Sequence, residues 1–134
     1  MILQRSETPI LFMTWAHRDG LPGNGMPDYE SMQGSIETGY LALVREPGVA
    51  VAPVGFTWST VHSQNPDISL WQDDGSHPST AGTYLAACVF YTAVFRQSPE
   101  GLGFSDGLSD TTVRTLQKAA AQTVLGSPAA WGLR

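Results

Sequence analysis

The sequence predicts an α/β fold built on a parallel sheet, on the strength of two short apolar runs and the pattern that joins them. Ile10-Leu11-Phe12-Met13-Thr14-Trp15 and Val49-Ala50-Val51-Ala52-Pro53-Val54 are continuous rather than alternating, as strands buried on both faces are. Between them lies a segment with helical spacing. Strand, loop, helix, strand is a crossover unit, and crossover units join parallel strands.

Each element follows from its residues. Pro9 precedes the first strand. From His17 to Pro27 the chain carries Gly20, Gly23, Gly25, Pro22 and Pro27, a density of breakers that predicts a loop. Asp28 is placed to cap a helix whose inward face is Tyr29, Met32, Ile36, Tyr40 and Leu43. Pro47 and Gly48 stop it, and the second strand follows. Phe56 to His62 predicts a short helix, broken by Asn65-Pro66-Asp67. Ile68-Ser69-Leu70-Trp71 leads into the turn-rich Asp73-Asp74-Gly75-Ser76-His77-Pro78. Ser79 caps a helix to about Phe95, with Tyr84, Cys88, Phe95 and either Val89 or Tyr91 turned inward. After a loop over 98–107, Ser109 or Asp110 caps a last helix to about Leu125, striped by Val113, Leu116, Ala120 and Val124. No regular structure is predicted for 126–134. Two strands, three if Met1-Ile2-Leu3 ends another, are few for a parallel sheet, so the chain reads as the later part of an α/β domain.

Composition narrows the function. The 134 residues fit one domain. Only 14% are charged, so the surface is either neutral and polar or partly meant to be covered. The net charge is −5 and no basic run occurs, which excludes a phosphate-backbone binder and leaves no nucleic-acid partner expected. Tyr84 to Phe95 is too short to span a bilayer. The first residues do not form a signal peptide, and the compartment stays open. The lone Cys88 excludes an internal disulfide and fits a core position.

The stretch Asp74-Gly75-Ser76-His77-Pro78-Ser79 carries the strongest chemical signal. An imidazole that takes a proton from a hydroxyl nucleophile needs a carboxylate to fix its tautomer. A carboxylate three residues before a histidine, in a tight turn, can sit on the same side of the loop. The spacing permits that assignment, as it does a solvated pair without a catalytic role.

The longer stretch Asp73-Asp74-Gly75-Ser76-His77-Pro78-Ser79-Thr80-Ala81-Gly82-Thr83-Tyr84-Leu85-Ala86-Ala87 resembles the last motif block of the SGNH (GDSL-like) hydrolases. Phe12 to Gly20 is similar to the fourth strand and following loop of that family. Tyr29, Met32-Gln33 and Tyr40 are similar to its helix, and Val51 to Trp58 to its fifth strand and turn. The resemblance covers roughly Ile10 to Pro99. It implies a three-layer α/β/α, flavodoxin-like fold, incomplete at the N-terminus, and an esterase or carbohydrate deacylase working through an acyl-enzyme. His77 would be the general base and Asp74 its orienting acid. The substrate would be a small ester or an acylated carbohydrate, with no cofactor.

The sequence departs from the family where the nucleophile belongs, since no Gly-Asp-Ser or Gly-Asn-Ser block occurs. Ile2-Leu3-Gln4 resembles the third-strand region, which makes Gln4 a candidate oxyanion donor against the alternative of a frayed terminus. Ser76 adjoins His77, but adjacent side chains generally point apart. Ser59 and Ser63 lack a strand-to-helix elbow. His17, Asp19, His62, Asp67, Asp73, Asp74 and His77 match no metal-ligand spacing, so no metal site is expected. Trp15, Trp58 and Trp71 follow strands and are candidates for a ligand wall, with Arg18 at the same mouth, or are ordinary rim residues of the core. The competing reading is a non-catalytic module that binds carbohydrate or self-associates through an exposed sheet edge.

Overall fold

A computed structural model describes residues 7–134; Gln4 and the Met1-Ile2-Leu3 segment lie outside the described residues. Strand β1 (Ile10–Phe12) and strand β2 (Ala50–Ala52) pair in parallel, with Ile10 opposite Ala50 and Phe12 opposite Ala52. Helix α1 (Tyr29–Val44) makes the crossover between them. Helices α2 (Val54–Gln64), α3 (Thr80–Phe95) and α4 (Asp110–Gly126) follow. The α/β class and the parallel pairing are therefore as the residue pattern predicts, although each strand is shorter than its apolar run.

Three helices start where a side chain can accept an orphan backbone N–H. Asp28 accepts from the Ser31 amide at 2.8 Å, Ser79 from Gly82 at 3.1 Å and Ser109 from Thr112 at 3.2 Å. Helix α2 starts two residues before its predicted origin at Phe56. Pro53 stands at its cap, and its carbonyl accepts both the amide and the hydroxyl of Thr57. The Gly55 amide donates to the Met13 carbonyl at 2.9 Å, which ties α2 directly to the end of β1.

The core is centred on β2, α2 and the inner faces of α3 and α4. Met13, Val51, Val54, Trp58, Leu70, Leu85, Val89, Leu116 and Val124 are fully buried. The predicted stripe of α4 is buried throughout. Two inward assignments are corrected. On α1, Tyr29 and Met32 are buried, but Leu43 is exposed and Val44 packs on the core instead. On α3, Phe95 is exposed while Leu85, Val89, Thr92 and Ala93 face in. Helix α3 holds no charged residue on any side, so its sequence does not mark which face is inner.

The predicted structureless tail is also corrected. A 3₁₀ turn, Pro128–Trp131, buries Trp131 and is followed by the buried Leu133. The Trp131 ring meets Phe56 edge-on, and its N–H donates to the Thr123 carbonyl. The breaker-rich loop contains a short 3₁₀ turn, Pro22–Asn24, closed by a Leu21–Met26 bridge.

Among the described residues no strand pairs with the outer edge of β1. Phe12 of β1 meets Phe90 of α3 edge-on, with ring centroids 4.9 Å apart. Val94 and Phe95 are exposed further along the same helix. Among the described residues no helix is long and apolar enough to cross a membrane.

Candidate functional site

The segment from Trp71 to Pro78 folds back on itself just before α3. Trp71 and Pro78 form an antiparallel bridge, and the Gln72 amide donates to the His77 carbonyl at 2.8 Å. The turn closes through the Gly75 amide to the Gln72 carbonyl, with Gly75 at φ +68°. That φ favours glycine, and a Cβ there would come within 3.1 Å of the Arg18 guanidinium, which would have to shift.

Asp74 organises the tip. Its Oδ1 accepts from the amides of Ser76 at 2.9 Å and His77 at 3.0 Å. Its Oδ2 meets His77 Nδ1 at 2.5 Å. The structure thus brings together the two residues singled out by the Asp-x-x-His spacing. One carboxylate oxygen holds the backbone, and the other holds the ring by Nδ1. Nε2 is left pointing away from the acid, on a side chain 73% exposed. This is the arrangement in which a neutral imidazole, protonated at Nδ1, accepts a proton at Nε2.

The hydrogen bond from His77, followed by those from the Ser76 and His77 amides, lowers the Asp74 carboxyl from the ordinary 3.8 to about 2. A depressed acid stabilises the fold above its unfolded pKa, and that contribution is lost as pH falls through the folded value. A ¹³C NMR titration should therefore find Asp74 half-protonated near pH 2. In His77→Ala the midpoint should rise, yet stay below 3.8 because the two amides remain. A wild-type midpoint near 3.8 would contradict this geometry.

The facing wall comes from the loop after β1. The Arg18 amide donates to the Gly75 carbonyl at 2.8 Å and the Trp15 indole N–H to the Ser76 carbonyl at 3.0 Å. His17 Nε2 lies 3.1 Å from Ser76 Oγ. This last pair is 59 residues apart in sequence, and no spacing signal announces it. Arg18 also lies 3.4 Å from the exposed Asp19, a surface pair of small energetic weight.

The three candidate tryptophans form one cluster. Trp15 stacks on Trp58 at 4.4 Å and 8°, and Trp58 meets Trp71 edge-on at 5.4 Å. Their burial corrects the ligand-wall assignment. Trp58 is fully buried and Trp71 is 5% exposed, with its N–H committed to the Ala16 carbonyl. Only Trp15, half-buried, has surface to offer a ligand. The other two support it from behind, and Gly82 of α3 lets Trp58 approach the helix backbone.

Among the described residues no three His, Cys, Asp or Glu side chains converge to hold a metal ion. Clefts of about 490 Å³ beside Gln117 and about 420 Å³ between α2 and α4 lie away from the dyad. Neither presents an acid–imidazole pair, so the chemistry rather than the concavity locates the site. Compared with protein-family models, curated proteins and solved structures, the chain gave no match.

Proposed function

We propose that this chain carries the acid–base half of an SGNH-like serine hydrolase, an esterase or carbohydrate deacylase acting through an acyl-enzyme. The observation that carries the reading is the bond from His77 Nδ1 to Asp74 Oδ2, with Asp74 Oδ1 pinned by two amides and Nε2 left free. In this reading the sheet and helices belong to a three-layer α/β/α domain. His77 takes the proton of an attacking serine and returns it to the leaving alcohol, while Asp74 stabilises the imidazolium. Among the described residues no serine hydroxyl bonds His77 Nε2. The serine served by the dyad is then brought by another segment or another chain.

An activated ester tests the dyad without that serine, because a free Nε2 can itself take up the acyl group. Hydrolysis of 4-nitrophenyl acetate by the wild-type chain should exceed that by His77→Ala about tenfold or more, with His17 and His62 as internal background. Equal rates would sink the reading.

One observation favours a second reading, a non-catalytic module that binds carbohydrate or self-associates. Helix α3 carries no charged residue yet exposes Val94 and Phe95, and exposed apolar surface of this kind is ordinarily covered. On this reading His77→Ala changes no hydrolytic rate.

A further inference from the structure

We propose that Ser76 is itself a nucleophile, activated by His17, within a site that takes small acyl esters. The inference stands on different atoms from the Asp74–His77 pair. A serine and its base must lie within hydrogen-bond reach, roughly 2.6–3.2 Å. Ser76 Oγ and His17 Nε2 are 3.1 Å apart.

Four features set this pair apart from a casual surface contact. The two residues sit on opposing loops that are locked on either side of them, by Trp15 Nε1 on the Ser76 carbonyl and the Arg18 amide on the Gly75 carbonyl. Both side chains are half-buried, so the contact is sheltered while the hydroxyl remains reachable. The Ser76 hydroxyl also has no capping task, since Ser79 caps α3. The Ser76 amide is held by Asp74, which fixes the backbone from which the hydroxyl projects. Such preorganisation lets a weak nucleophile act without first paying to be oriented.

The step balances without a cofactor. As Ser76 Oγ bonds to the acyl carbon, its proton passes to His17 Nε2 and the carbonyl oxygen becomes an oxyanion. The oxyanion collapses, the bond to the leaving oxygen breaks, and that oxygen takes the proton from His17. Water repeats the sequence, releasing the carboxylic acid and restoring Ser76. The Arg18 guanidinium packs against Gly75, one residue from the serine, and supplies the positive charge suited to the developing oxyanion.

The test uses the full chain and a fluorophosphonate probe, in which the serine oxygen replaces fluoride on phosphorus and hydrogen fluoride leaves. Intact mass and peptide mapping are read for wild type, Ser76→Ala, His17→Gln, His17→Ala and His77→Ala, with circular dichroism checking each fold. The expected result is one adduct, mapped to Ser76 and absent from Ser76→Ala. Its rate should fall about 100-fold in both His17 variants, the lower end of what a positioned base contributes. No adduct on wild-type Ser76 overturns the proposal. So does labelling that survives both His17 variants, or labelling lost in His77→Ala but not in His17→Gln. None of these results decides the Asp74–His77 reading, whose ester assay, repeated in the Ser76→Ala background, turns on His77 alone.

Discussion

Asp74→Asn should abolish His77-dependent ester hydrolysis while leaving the turn in place. The substitution separates two tasks that one carboxylate performs. Asn retains an acceptor for the Ser76 and His77 amides now bound to Oδ1, so the loop keeps its path. With that oxygen committed, the amide nitrogen faces His77 Nδ1 in place of Oδ2. An NH₂ group can only donate, so Nδ1 must become the acceptor and the ring proton moves to Nε2. An imidazole protonated at Nε2 cannot take up a proton or an acyl group there. In the 4-nitrophenyl acetate assay the rate should fall to that of His77→Ala, about tenfold or more below wild type, because Nε2 no longer offers a lone pair. ¹⁵N NMR of the His77 ring should show the tautomer reversed. An Asp74→Asn protein with the wild-type rate would mean that the dyad is a structural turn and no more.

Gly82→Ala should be a severely damaging small substitution. Alanine gains roughly 1 kcal/mol over glycine in a helix interior, but here that gain is overwhelmed. A Cβ at Gly82 would stand 2.2 Å from the Leu70 carbonyl oxygen and 2.5 Å from the Trp58 ring. Neither neighbour can yield, because the carbonyl is backbone and also accepts the Ser79 amide, and Trp58 is fully buried. The cost should be about 3 kcal/mol, at the upper end of ordinary overpacking. For a domain of this size that lowers the melting temperature by roughly 10 °C. Gly39→Ala on the exposed side of α1, where a Cβ meets nothing within 4 Å, should move it slightly upward. Thermal unfolding of the two variants side by side checks the sign and the contrast. Because Gly82 lies in the first turn of α3, its substitution should also displace the Asp74–His77 turn that precedes the helix.

Local signals in the sequence led to the right places, and distant ones were silent. Asp28, Ser79 and Ser109 could be read as caps because the donors they satisfy lie three residues away. The Asp74–His77 contact was legible for the same reason, being closed inside one turn. Leu43 and Phe95 were misplaced because inner and outer faces of α1 and α3 differ too little in polarity for a helical period to choose between them. The burial of Trp131 depends on Phe56 and Thr123, and a Gly- and Pro-containing tail gives no hint of either. His17 and Ser76 stood in two separately recognisable loops, but their meeting depends on how β1 and the loop before α3 are set side by side. The parallel crossover was predictable from residues, whereas the shortness of both strands was not.

The stacked pair of Trp15 and Trp58 gives the molecule an optical signature of its own. Two indoles with centroids 4.4 Å apart and rings inclined by 8° are close enough for their electronic transitions to couple, and the outer one forms part of the mouth. Near-ultraviolet circular dichroism and tryptophan emission should therefore report on the mouth itself, where an arriving sugar or acyl chain would touch Trp15 first. The protein carries a label-free reporter beside the Asp74–His77 turn, where Trp15 bonds the Ser76 carbonyl.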